Sequence, residues 1–161
     1  MKKIILIIMS FFAIISLAGT KIDSSILQNV KTNEIVSIDK LKGKKTYIKM
    51  WASWCPICLN TLKDVNELSG EKNLDFNVLT IVSPSYLGEL NKERFKTWWE
   101  GLENEYSNMT VLLDNHAYIA RKVRVRAYPT NVFINSDGEI EKVVPGALSE
   151  SFIKQVMATI K

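Results

Sequence analysis

Cys55 and Cys58 are the only cysteines in the chain, and they stand three apart in Trp54-Cys-Pro-Ile-Cys58. A disulfide framework needs several bridges spread along a chain, and one bridge closing so short a loop restrains the unfolded state little. A structural zinc site needs four ligands, whereas this pair and His116, the single histidine, supply three at most. A haem attachment motif has histidine directly after the second cysteine, and position 59 is Leu. Neither metal nor staples hold this fold, so an apolar core must. At 161 residues, 47% of them apolar and 24% charged, the chain has the material for one globular domain. For the cysteines themselves, redox chemistry stands against an inert bridge.

The start of the chain carries a separate signal. Lys2 and Lys3 precede an apolar run from Ile4 to Ala18, and Ser16 and Ala18 are small residues at the spacing found before a cleavage site. This is the pattern of a secretory signal peptide, with cleavage expected after Ala18. An uncleaved anchor is the competing reading, although the run is 15 residues long with two serines, short of the ~20 apolar residues of a spanning helix. Lipid attachment at Leu17-Ala18-Gly19 would need a cysteine at position 20, which is Thr. Without residues 1–18 the chain has 143 residues, and the formal charge falls from +4 to +2 because Lys2 and Lys3 are the only charges lost. No run of like charges suited to nucleic acid remains. Export implies an extracytoplasmic location, periplasm or cell envelope, where thiols tend toward disulfides.

Residues 19–25 show no pattern and are expected to form a flexible lead. Ile26-Leu27 and Ile35 to Ile38 flank the polar Lys31 to Glu34 as a β-hairpin. Thr46 to Trp51 reads as a central strand. Pro56 suits a first helical turn, and Leu59, Leu62, Val65 and Leu68 carry that helix to about Gly70. Phe76 to Val82 is a second buried strand. A longer helix follows Ser83-Pro84, with Phe95, Trp98, Trp99 and Leu102 at i, i+3, i+4 and i+7. Met109 to Leu113 is a short strand, and Asp114 can cap the helix containing Ile119, Ala120 and Val123. Asn131 to Asn135 and Glu139 to Val144 flank Ser136-Asp137-Gly138, a hairpin signal; Gly138 and Gly146 are read as turn residues. The last helix begins at Ser149, with Leu148 and Ile153 placed as a hydrophobic staple. This order predicts an α/β domain over residues 19–161: a mixed central sheet flanked by helices, with an N-terminal β-hairpin.

Cys55 then falls at the N-terminus of the helix that follows a central strand. Unpaired backbone N–H groups and the helix dipole favour thiolate there, and thiolate is the nucleophile of disulfide exchange. Cys58, one turn on, is placed to attack a mixed disulfide on Cys55. Cys55 is read as nucleophile and Cys58 as resolving cysteine.

Trp51-Ala-Ser-Trp-Cys-Pro-Ile-Cys58 resembles the active-site motif of the thioredoxin superfamily, and Tyr128-Pro129-Thr130 resembles its cis-proline loop. The resemblance covers about residues 26–161 and implies a thioredoxin fold, with no cofactor and no metal. It further implies that Pro129 is cis and faces Cys55, that the backbone of Tyr128 pairs with a substrate strand, and that Trp54, Pro56 and Ile57 border the substrate. A Cys55–Cys58 disulfide is the oxidised form in that family.

Lys49, six before the first cysteine, departs from ordinary thioredoxin, where a buried aspartate is usual. Alternation puts it on the side of Trp51. Its ammonium either lies beneath the cysteines, lowering thiol pKa values, or snorkels to solvent. This lysine, the Trp-Cys-Pro-x-Cys-Leu sequence, Ser83-Pro84-Ser-Tyr-Leu87, the helix of Trp98-Trp99 and Asp114-Asn115 together resemble one subgroup. It lies within the TlpA/ResA-like extracytoplasmic branch and is closest to the thioredoxin-like domain of PilB-type methionine sulfoxide reductases and its stand-alone relatives. That resemblance implies a methionine sulfoxide reductase as electron acceptor, a CcdA- or DsbD-type membrane thiol carrier as donor, and a monomer. Cytochrome c maturation, or another envelope thiol pathway, is the alternative client; a non-catalytic peptide-binding module is the alternative class. Trp51, Trp98 and Trp99 are read as packing residues and His116 as an ordinary polar residue. Arg121 to Arg126 is read as a solvated basic face able to steer an acidic partner.

Overall fold

In the computed structural model, residues 19–22 and 26–161 are described, and their strands join in a single sheet. The expected signal peptide, residues 1–18, lies outside them. In chain order the elements are β1 (Thr20–Lys21), β2 (Ile26–Asn29), β3 (Ile35–Ser37), a 3-10 turn (Ile38–Leu41), β4 (Lys45–Met50), α1 (Pro56–Asn60), α2 (Leu62–Gly70) and β5 (Phe76–Val82). They continue as α3 (Lys92–Glu100), β6 (Val111–Leu113), α4 (Tyr118–Lys122), β7 (Thr130–Ile134), β8 (Glu139–Pro145) and α5 (Glu150–Thr159). The sheet order is β1-β8-β7-β4-β5-β6-β2-β3. β4 lies near its middle, parallel to β5 and antiparallel to β7.

Alternation along β4 sorts the core. Tyr47, Lys49 and, just past the strand, Trp51 point to one face. There Tyr47 packs with Leu68 of α2, Phe133 of β7 and Ile153, Val156 and Met157 of α5, while Trp51 packs with Cys58, Leu62 and α3 residues Phe95 and Trp99. Ile48 and Met50 point to the other face and meet Ile119 and Ala120 of α4, together with Leu27 and Ile38 of the N-terminal hairpin region. Helices thus cover both faces, as the element order implies. A buried polar pair is satisfied: Asn131 accepts from the Tyr47 hydroxyl at 2.7 Å and donates to the carbonyls of Val144 and Gly146. Burial holds the Tyr47 hydroxyl above the ordinary tyrosine range.

Three local expectations are corrected. The lead is ordered at its start: Thr20 and Lys21 pair with Ile140 and Glu139 of β8, and Ile22 is buried in the core, while residues 23–25 lie outside the described residues. Two isolated polar residues give no period to read, so only the sheet edge reveals them as a strand. The helix after Pro56 is not continuous; it breaks at Thr61, whose hydroxyl donates back to the carbonyls of Ile57 and Cys58, a side-chain competition with the helical ladder. The helix after Pro84 starts only at Lys92, capped by the Asn91 side chain, which accepts from the Arg94 N–H at 3.0 Å. Asp114 does grip α4, accepting from the N–H groups of Tyr118 and Ala120, while the cap position itself is Ala117 in the left-handed region. No helix among the described residues is long and apolar enough to cross a membrane.

Candidate active site

Where β4 ends, the chain turns through Ala52, Ser53 and Trp54 and enters α1 with Cys55 as its N-cap. Proline at the first helical position supplies a preset φ and no orphan N–H. The Cys55 sulfur accepts from the Cys58 N–H at 3.2 Å, and a backbone donor in that position favours negative charge on the sulfur it faces. The two cysteines are bonded to each other across a Cα separation of 5.2 Å, and both are buried. Behind them Trp51 is enclosed by Phe95, Trp98 and Trp99, with ring centroids 5.7–6.2 Å away. Trp99 is buried and Trp98 half-buried, which gives the tryptophan stripe a packing role.

The second loop of the site comes from before β7. The Tyr128–Pro129 peptide bond is cis, and the Tyr128 ring meets Trp54 edge-on with centroids 6.0 Å apart. Tyr128 also packs against the cluster holding both cysteines. Burial, and secondarily the nearby Glu89 carboxylate, raise its hydroxyl above the ordinary tyrosine range. Around this junction the surface is apolar: Trp54 is 52% and Ile57 56% exposed.

Lys49 does not snorkel. It is 3% exposed, and its ammonium donates to both the hydroxyl and the carbonyl of Thr61. Thr61 links it to the cysteines, its hydroxyl donating to the Cys58 carbonyl at 3.0 Å. Burial lowers the Lys49 pKa to about 8, against a smaller opposing pull from the Asp64 carboxylate.

One buried group was not legible in the sequence. Glu89 is 6% exposed, and its carboxylate accepts from the Ser53 N–H at 2.5 Å, the Ser53 hydroxyl at 2.6 Å and the Leu90 N–H at 2.6 Å. It clamps the 83–90 loop to the turn that carries Trp54 and Cys55. A single acidic residue between Gly88 and Leu90 carries no motif; only the Asn91 cap signal, which moves the helix start past it, marks Glu89 as a loop residue. His116 is exposed and gives only its carbonyl, to Arg121. No cluster of three or more His, Cys, Asp or Glu suited to a metal occurs among the described residues.

A vicinal cysteine pair at the start of a helix, on a mixed sheet with helices on both faces and beside a proline loop, defines a thiol-disulfide oxidoreductase of thioredoxin-like fold. Residues 17–157 match the redoxin family, and the chain belongs to it. The chain is similar to the pneumococcal exposed lipoprotein thioredoxin of Streptococcus pneumoniae, 38% identical with a TM-score of 0.79, covering 84% of this chain and 98% of that one. It is also similar to the N-terminal domain of PilB from Neisseria gonorrhoeae, 30% identical with a TM-score of 0.77, covering 84% and 88%. Among relatives by sequence, the thiol-disulfide oxidoreductase ResA of Halalkalibacterium halodurans is 27% identical over 94% of this chain and 83% of that protein.

Proposed function

We propose that the protein is an extracytoplasmic disulfide reductase that recycles a methionine sulfoxide reductase. The observation that carries the partner is the likeness to the PilB N-terminal domain, at 30% identity over nearly the whole of that domain. The likeness to an exposed lipoprotein thioredoxin supports the location, together with the basic and apolar opening of the chain. In the reduced form, the Cys55 thiolate attacks one sulfur of the partner's disulfide, and the partner's other sulfur leaves as thiolate. Cys58, deprotonated, then attacks the Cys55 sulfur, closing the Cys55–Cys58 bridge and releasing the partner's second thiol. Two electrons pass to the partner, and a membrane thiol carrier of the CcdA or DsbD type returns them. Pro129, Tyr128, Trp54, Pro56 and Ile57 border the partner strand, and Lys49 tunes the pair through Thr61.

The test is Cys58→Ser expressed in the native envelope. Without the resolving thiol, the mixed disulfide on Cys55 persists, and mass spectrometry identifies what is attached. A methionine sulfoxide reductase is expected among the captured proteins. A catch composed of cytochrome c maturation proteins, with no reductase, moves the protein to that pathway.

A further inference from the structure

Beside the proline loop lies a groove that the redox chemistry does not use. Its walls are Tyr86 and Leu87 from the 83–90 loop, and Arg121, Arg124, Val125 and Arg126 from α4 and the segment leading to Tyr128. The two walls are latched together, the Tyr86 hydroxyl donating to the Val125 carbonyl at 3.0 Å. Among the described residues, no carboxylate lines the groove. Arg121 is engaged: it donates to the His116 carbonyl and lies over the Tyr86 ring at 5.5 Å. Arg124 and Arg126 are exposed and make no ion pair among the described residues. Leu87, 40% exposed, and Arg124 both sit in the left-handed backbone region, at φ 47° and 58°. That conformation is costly for large side chains and persists only where the surroundings impose it.

A chain of neighbouring residues links the groove to the turn that carries Cys55. Gly88 lies against Trp54, so close that a Cβ there would stand 3.7 Å from the indole nitrogen. Trp54 contacts Tyr128, and Arg126 is two residues before Tyr128. Arg124 and Arg126 thus belong to the segment that leads directly into the proline loop.

We propose that this groove docks an acidic stretch of the partner polypeptide flanking the disulfide that Cys55 attacks. Arg124 and Arg126 receive its carboxylates, and Leu87 with Trp54 and Ile57 covers the apolar residues next to the partner's cysteines. The proposal rests on the reductase reading and supplies the chemistry of its substrate. The two oxygens of a carboxylate accept bidentately from a planar guanidinium fork, and a single-sign groove near the reaction centre raises the encounter rate of an oppositely charged partner.

The test uses two disulfide-bridged peptides that differ only in three flanking residues, Asp in one and Lys in the other. Each reduction rate is divided by that for hydroxyethyl disulfide, which is too small to reach the groove. At low salt the acidic peptide is expected to be reduced about tenfold faster, an advantage that shrinks toward about twofold in 0.5 M NaCl. In R124E/R126E the preference reverses, and in R124Q/R126Q it disappears. Equal rates for the two peptides in the wild-type protein, or a preference that survives charge reversal, overturn the proposal. A cysteine-free acidic peptide titrated against tryptophan fluorescence reads docking without chemistry. Binding that is lost in R124E/R126E supports the groove even if the wild-type protein fails to reduce hydroxyethyl disulfide, and that failure strikes the reductase reading alone. Binding to phosphatidylglycerol vesicles in place of the acidic peptide assigns the arginines to a lipid surface and overturns the peptide proposal.

Discussion

The floor and the rim of this site are built on opposite terms. Beneath the cysteines, Lys49, Thr61 and Trp51 pack inward, and their influence travels through fixed hydrogen bonds and desolvation. Around them, Trp54 and Ile57 stand exposed, and Leu87 shares a groove with Arg124 and Arg126, which make no ion pair among the described residues. Glu89 joins the two levels, a buried carboxylate whose bonds fix the turn carrying Trp54. Each level therefore answers to its own variable: pH should act through the floor, salt and substrate identity through the rim.

The joint should be the most sensitive point. Glu89→Ala leaves the Ser53 and Leu90 N–H groups without their acceptor, and a loss of about 2–4 kcal/mol is expected in urea denaturation. Glu89→Gln, which keeps one acceptor oxygen, should lose about half of that. A loss under about 0.5 kcal/mol for the alanine variant would show that floor and rim are not coupled through this carboxylate.

Lys49→Met should act in the other direction. With a folded-state pKa of about 8 against an ordinary 10.5, the folded protein holds this proton less tightly than the unfolded chain. The lysine's destabilisation is therefore full below pH 8 and fades as pH rises to 10.5. The variant is expected to gain about 1–3 kcal/mol at pH 7, with the gain shrinking between pH 8 and 10.5. In the reduced form, removal of the cation should also move Cys55 alkylation to higher pH. A stability change that is flat with pH would mean that the Thr61 hydrogen bonds, and not desolvation of the ammonium, govern the floor.

Trp54→Ala should be the mildest for the fold, within about 0.5 kcal/mol of wild type because half of the ring is already in water. Reduction of protein disulfides should nevertheless fall several-fold. A stability loss above about 1 kcal/mol would place Trp54 with the floor and remove the distinction.

The legible parts of the molecule are those whose information is local. Alternation along Thr46 to Trp51, the Asp137-Gly138 turn and the Ser149 cap each lie within a few residues of what they determine; Asn135, for instance, folds its side-chain carbonyl onto the Asp137 and Glu139 N–H groups to shape the turn. Cys55 and Cys58 were legible because their spacing excludes other uses. Glu89 was not, since its partner Ser53 is 36 residues away, and neither was the fate of Lys49, which alternation could orient but not bury. Thr61, where the helix breaks, is bonded to that same lysine, so the apolar periodicity runs straight through the break.

The short β1 strand fixes where the chain enters the sheet. It pairs with the start of β8, at Glu139 and Ile140, whereas Pro145, at the far end of β8, pairs with Thr130 beside the proline loop. At the ~3.3 Å rise of a strand residue, that places the entry of the chain roughly 16 Å along the sheet from the redox end. Gly19 therefore enters the sheet at the end away from the proline loop, its N–H donating to the Ile140 carbonyl at 3.1 Å.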